Sequence, residues 1–247
     1  MRTMDSDSTH SERDKASPPQ SEQDRLWDYY QNRAIERFEQ SEPRLRFLCR
    51  QIRPPAAVLD IGVGDGTFER LALQRGLDVF CLDPNPRTIE RIRQTFALGE
   101  RACVGYGQAI PFPDAQFDAV VISEVLEHLD DDALAATLKE SARVLKPGGV
   151  LLGTVPAREN LDEQRVVCPC CGETFHRWGH RQSFTIDRMR ALLEPRFDVV
   201  AIGERPFESF RHLNLKGRLL AAARWALSLA GVHGRNEHIW FRARRRT

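Results

Sequence analysis

Residues 58–68 read V-L-D-I-G-V-G-D-G-T-F, four apolar positions around an acid and then glycines at 62, 64 and 66. The apolar run predicts a buried strand, and the glycines predict a sharp turn into a helix over 67–75. Similar short apolar or β-branched runs predict strands at 77–82, 102–106, 119–123, 150–156, 197–202 and 238–244. Apolar residues at helical spacing predict helices over 26–48, 130–145, 185–193 and 214–231. Pro54-Pro55 breaks the chain before the first strand, and K-P-G-G at 146–149 turns a helix into the fifth strand. Strands alternating with helices predict an α/β fold, and a strand, glycine turn and helix open a nucleotide-binding sheet.

At 247 residues and a net charge of +1, the chain can bury one substantial core and shows no general preference for polyanions. Residues 1–24 are polar and rich in Ser, Asp and Glu, with no apolar signal core, and are expected to be a disordered leader. A helical cap at 25–54, a core at 55–205 with an insert at 157–183, and a basic tail at 206–247 follow. From Arg205 to Thr247 ten Lys and Arg residues face two acids, Glu208 and Glu237. A phosphate-bearing or membrane-surface partner therefore stays open for the tail. The longest apolar stretch, 219–232, is broken by Arg224, so no transmembrane segment is expected and the location expected is cytoplasmic. Cys49, Cys81 and Cys103 are isolated and expected to fill the core, whereas Cys168, Cys170 and Cys171 cluster in a way that favours metal.

The glycine spacing selects among nucleotide sites. A dinucleotide fingerprint would place its third glycine at 67, where this chain has Thr. Asp60-x-Gly62-x-Gly64-x-Gly66 instead resembles the first motif of class I S-adenosylmethionine (SAM)-dependent methyltransferases. The resemblance implies that Asp60 lies near the methionine moiety and that the glycines let backbone lie against the cofactor. Asp83 stands 23 positions after Asp60 at the end of the next strand, where an acid can take both ribose hydroxyls. L-D-P-N-P at 82–86 resembles the second motif of the family, with Asn85 a weaker neighbour. G-Q-A-I-P-F-P-D-A-Q-F-D at 107–118 resembles a block of the ubiquinone- and menaquinone-type methyltransferases, which implies adenine contacts at Gln108 and Ala109. Gln108 replaces an acid there, and its carbonyl can accept the same hydrogen bond. Tyr29 or Tyr30 either covers the cofactor or faces the core. The resemblance spans about 55–205 and implies a Rossmann-like seven-stranded sheet with helices on both faces.

Two clusters carry candidate chemistry. In S-E-V-L-E-H at 123–128, a helix would put Glu124, Glu127 and His128 on one face, to bind a divalent cation such as Mg²⁺, orient a general base, or serve as a cap. The arrangement resembles that of ubiquinone-pathway and small-RNA O-methyltransferases. The second cluster, C-P-C-C-G-E-T-F-H-R-W-G-H at 168–180, offers Cys168, Cys171, His176 and His180 as a structural Zn²⁺ set, with Cys170 as a substitute or the loop metal-free. Arg177, Trp178 and Arg181 are candidates for an acceptor-binding wall. The leading expectation is O-methylation of a small molecule, sugar or lipid-linked glycan, with His128 the first candidate base. An RNA methyltransferase and a zinc-stabilised SAM-pocket protein without turnover are the alternatives.

Overall fold

The computed structural model describes residues 22–34, 41–208, 214–234 and 237–246. The expected leader lies outside the described residues except for 22–24, which begin a helix. That helix, α1 (Glu22–Asn32), and a second, α2 (Glu42–Cys49), replace the single helix expected over 26–48. Pro43 sits in the first turn of α2, the one helical position where a missing N–H costs nothing.

The core is a seven-stranded mixed sheet. In chain order its strands are β1 (Ala57–Ile61), β2 (Asp78–Asp83), β3 (Ala102–Val104), β4 (Phe117–Ser123), β5 (Leu145–Pro156), β8 (Phe197–Arg205) and β9 (His238–Arg245). The spatial order is β3-β2-β1-β4-β5-β9-β8. The first five are parallel, and β9 runs antiparallel to both β5 and β8. Crossovers run through α3 (Thr67–Leu73), α4 (Pro86–Phe96), α5 (Asp131–Val144) and α6 (Ile186–Leu193). Between β1 and β4 the strand order reverses, so a ligand crevice opens beyond their carboxyl ends.

Both sheet faces are covered, which is why the strands are apolar throughout rather than alternating. Val58, Val79, Cys81 and Val121 pack with Phe68, Ile89 and Ile92 on one side. Leu59, Leu82, Val120 and Ile122 pack with Leu134, Leu138 and Met189 on the other. Cys49 and Cys81 are core fillers, but Cys103 is only half-buried, its thiol donating to the Glu100 carbonyl. Asp118 ties the sheet start together by accepting from Ala57 N at 2.9 Å and from Lys146 Nζ at 2.7 Å.

Two additions flank the sheet. A small antiparallel ribbon, β6 (Arg165–Val167) with β7 (Thr174–His176), forms the insert. The tail helix α7 (Leu215–Leu229) starts at the Asn214 cap, which accepts from Gly217 N. No helix among the described residues is long and apolar enough to cross a membrane.

Candidate active site

The crevice at the β1/β4 switch point is a cleft of ≈1170 Å³ lined from α1, the glycine turn, the ends of β2 and β4, the insert and the tail. One side has the features of a nucleoside pocket. Gly62 and Gly64 line it with φ of 87° and 51°. A Cβ on Gly62 would lie 2.5 Å from Val125 Cγ2, so no other residue lets the turn approach that closely. Gly66 does not line the cleft. Its φ is 89°, and a Cβ there would strike Ile92 and Phe96, so the absence of a side chain permits α3–α4 packing.

Asp83 is fully buried and lines the cleft, accepting from Asn85 N at 2.9 Å, Val63 N at 3.2 Å and Gln31 Nε2 at 3.0 Å. Burial pushes its carboxyl up to about 6, although those donors pull the other way. Asn85 is the N-cap of α4, accepting from Arg87 N and Thr88 N. Asp60 lines the cleft too, and is pushed well up by burial and then by Glu69 behind it. Gln108 lines the cleft, whereas Ala109 does not. Of the two tyrosines, Tyr30 lines it with Trp27, while Tyr29 is exposed.

The other side is polar, and its layout differs from the expected helix face. Glu124 has φ of 56°, and only a single 3₁₀ turn (Leu126–His128) follows before α5 begins at Asp131. Glu124, Glu127 and His128 therefore do not share one face. Glu124 accepts from Thr154 Oγ1 at 2.9 Å and faces His238 Nε2 at 3.4 Å and Arg44 Nε at 3.9 Å. Burial alone would raise its carboxyl, but Arg44 and His238 outweigh it and hold Glu124 ionised far below the ordinary range. A left-handed Glu is strained, and such strain collects at functional sites.

Glu127 and His128 turn towards the insert. The Glu127 carbonyl accepts from Arg181 N and Gln182 N at 2.7 and 3.0 Å, pinning the end of the insert beneath the cleft. Ligand atoms of Glu127, His128 and His180 lie within 4.8 Å of one another. Both Glu127 carboxylate oxygens are buried without a hydrogen-bond partner, and burial followed by Glu124 pushes the carboxyl well up. His128 Nδ1 faces two acceptors, Gly179 O at 3.3 Å and the Gln23 carboxamide oxygen at 3.2 Å; that oxygen also accepts from Trp27 Nε1. The Nδ1 atom thus carries the proton and Nε2 the lone pair. Burial, with His180 second, lowers His128 to about 3, so it is neutral at physiological pH and a weak base. His180 Nδ1 meets Glu159 Oε2 at 2.5 Å, so Glu159 orients the ring with Nε2 facing away from it.

The expected Cys168, Cys171, His176 and His180 set is not one cluster. Among the described residues, the group containing His176 and His180 is completed by Glu159, and no group contains a cysteine. The ribbon explains the separation. His176 pairs with Arg165 at its base, while Cys168 and Gly172 close the tight turn at its tip. Three residues of strand carry the tip about 10 Å away. At that tip the Cys168 thiol is lowered by the Cys171 and Cys170 backbone N–H groups. His176 Nδ1 accepts from His180 N at 3.0 Å. Of the proposed acceptor wall, Trp178 lines the cleft against Tyr30, with ring centroids 5.0 Å apart. Arg177 stacks on Trp178, and Arg181 pairs with Asp130 outside the cleft. Glu69, Glu159, Gln23, Gln31, Arg44 and His238 join the site without having carried a sequence signal; each lies outside a recognisable motif.

The fold and the cleft define a Rossmann-like α/β methyltransferase architecture. Residues 59–153 match the methyltransferase domain family. An uncharacterized methyltransferase of Mycobacterium tuberculosis is 38% identical over 104 residues, 40% of each chain. The alignment with these first relatives thus spans about two fifths of their length. The ubiquinone/menaquinone biosynthesis C-methyltransferase UbiE of Vibrio campbellii is 29% identical over 71% of this chain and 73% of its own. Among solved structures, the 1,6-didemethyltoxoflavin-N1-methyltransferase of Burkholderia thailandensis, bound to S-adenosylhomocysteine, superposes with a TM-score of 0.62 at 18% identity, covering 96% of this chain and 99% of that one. The chain thus carries a methyltransferase domain and has homologues among SAM-dependent methyltransferases.

Proposed function

We propose that this protein transfers the methyl group of SAM to an oxygen of a small-molecule, sugar or lipid-linked glycan acceptor. The relatives' names include C- and N-methylation, so the choice of oxygen rests on the cleft. The carrying observation is the set of Glu127, His128 and His180 opposite the glycine turn: a buried carboxylate with no hydrogen-bond partner beside the neutral His128 and the Glu159-bound His180. On the cofactor side, Gly62 and Gly64 admit the backbone-close approach, Asp83 takes the ribose hydroxyls in exchange for Gln31, and Gln108 accepts from the adenine amine.

Methyl transfer is an in-line displacement: the acceptor oxygen forms a bond to the methyl carbon as the carbon–sulfur bond breaks, leaving S-adenosylhomocysteine. The protein aligns the two and keeps water out. The hydroxyl proton must also leave, passing to solvent at the cleft mouth as the carbon–oxygen bond forms. His128 is too weakly basic to take it unaided, which favours a cation at Glu127, His128 and His180. One carboxylate and two imidazoles suit a first-row divalent ion such as Zn²⁺ or Mn²⁺ better than Mg²⁺, and Glu159 orients His180 from behind. When bound, such an ion lowers the pKa of a coordinated hydroxyl.

Calorimetry tests the reading. SAM and S-adenosylhomocysteine should bind, and Asp83→Asn should weaken both by at least ~10-fold, as expected for losing a charged hydrogen-bond acceptor. Absence of SAM binding to the wild type would overturn the proposal.

A further inference from the structure

Helix α7 is built the wrong way round for a helix that packs on a sheet. The residues it buries are small, Ala221 and Ser228, the latter bonded to Glu237 Oε2 and the Glu204 carbonyl. At 3.6 residues per turn, Leu215, Leu219, Leu220 and Leu227 all point within about 90° of the opposite direction. They are 76%, 64%, 56% and 51% exposed. The helix has no acid. Lys216 shares the leucine face, and Arg218 and Arg224 stand on its two flanks. Its position adds a further link: Arg224 lines the cleft with Phe207 and Glu208, and pairs with Glu208 at 3.0 Å.

We propose that the leucine face of α7 is a membrane-interface surface that seats the protein on an anionic phospholipid bilayer, with the mouth of the cleft at the lipid boundary. Leucines between flanking cations match the two layers of such a surface. The apolar side chains enter the acyl boundary while Lys and Arg stay with the phosphates. Fifteen residues are too few to span a bilayer, so the helix lies in its plane. A nucleic acid would use the cations and leave the leucines in water. A second copy of the chain, docked with its helix parallel to this one, would set Lys216 against its own counterpart, a like-charge contact. An anionic bilayer satisfies both features at once. This surface does not depend on the chemistry proposed for the cleft.

The test is sedimentation of the full chain with phosphatidylcholine vesicles, with and without phosphatidylglycerol. Binding is expected only with phosphatidylglycerol and should fall as salt is raised. It should weaken about 100-fold in Leu219→Ser/Leu227→Ser, since each exposed leucine lost from the acyl boundary costs about a factor of ten. SAM affinity, unchanged in this variant, shows that it folds. No binding to anionic vesicles, or undiminished binding in the double serine variant, would overturn the proposal. So would a dimer in light scattering that the same variant dissociates, which would assign the face to a second copy.

Discussion

Glu69 is a buried carboxyl whose cost to the fold can be tested directly. It lies on α3, fully buried, with Asp60, Asp65 and Asp83 as its charged neighbours. Burial, opposed in part by its own backbone N–H and by Asp60, pushes it from the ordinary 4.5 up to about 7. A carboxyl raised in the folded state holds its proton there while the unfolded chain has lost it. Between those two values the folded protein binds more protons, so stability falls as pH rises and the full loss is present above about 7. Roughly two and a half pH units at about 1.4 kcal/mol each gives about 3 kcal/mol. Glu69→Gln keeps the shape and removes the ionisation. Urea unfolding followed by circular dichroism between about pH 5 and 8 should show the wild type losing stability and the variant losing about 3 kcal/mol less over that window. Asp83 and Asp60 are also raised, so a smaller slope of the same sign remains. Parallel pH curves for the two proteins would refute the assignment.

Gly66→Ala should destabilise the fold by about 2 kcal/mol or more, because the left-handed turn and the contacts with Ile92 and Phe96 leave no room, while SAM affinity in calorimetry changes little. Trp178→Ala should raise the acceptor KM with SAM affinity intact, whereas Arg181→Ala, whose partner Asp130 lies outside the cleft, should change neither. Metal titration should load about one equivalent of Zn²⁺ or Mn²⁺, and Glu159→Gln should weaken loading by about 10–100-fold through the orientation of His180. Glu124→Gln should leave loading unchanged, and failure of the wild type to load would remove the cation from the mechanism.

The parallel half of the sheet was legible because each of its strands is a short apolar run bounded by glycine, proline or a polar turn. That grammar is local, and Asp60, Gly62, Gly64 and Asp83 line the cleft at the ends of those strands. The N-terminal helix was not legible as two, because α1 and α2 carry one continuous helical spacing and only Pro43 marks the restart. Gly66 shows the limit of a motif. All three glycines share a backbone sign, but only the tertiary packing of Ile92 and Phe96 separates the one that serves the fold from those that face the cleft.

The polar half of the cleft was misread for a related reason. Helical spacing puts Glu124 with Glu127 and His128, and one left-handed residue undoes it: with φ of 56°, Glu124 swings to Arg44 and His238. Those partners come from α2 and β9, 80 and 114 positions away in the chain, beyond any local signal. The insert was misread through composition. Cysteines dominate the pattern of residues 168–180, yet an antiparallel ribbon sends its tip away from its base, and the histidines sit at the base. What the ribbon delivers to the cleft is His180, held by Glu159 and fastened by the Glu127 backbone. The E-V-L-E-H segment and the insert therefore meet in one cluster, Glu127 and His128 from the first and His180 from the second.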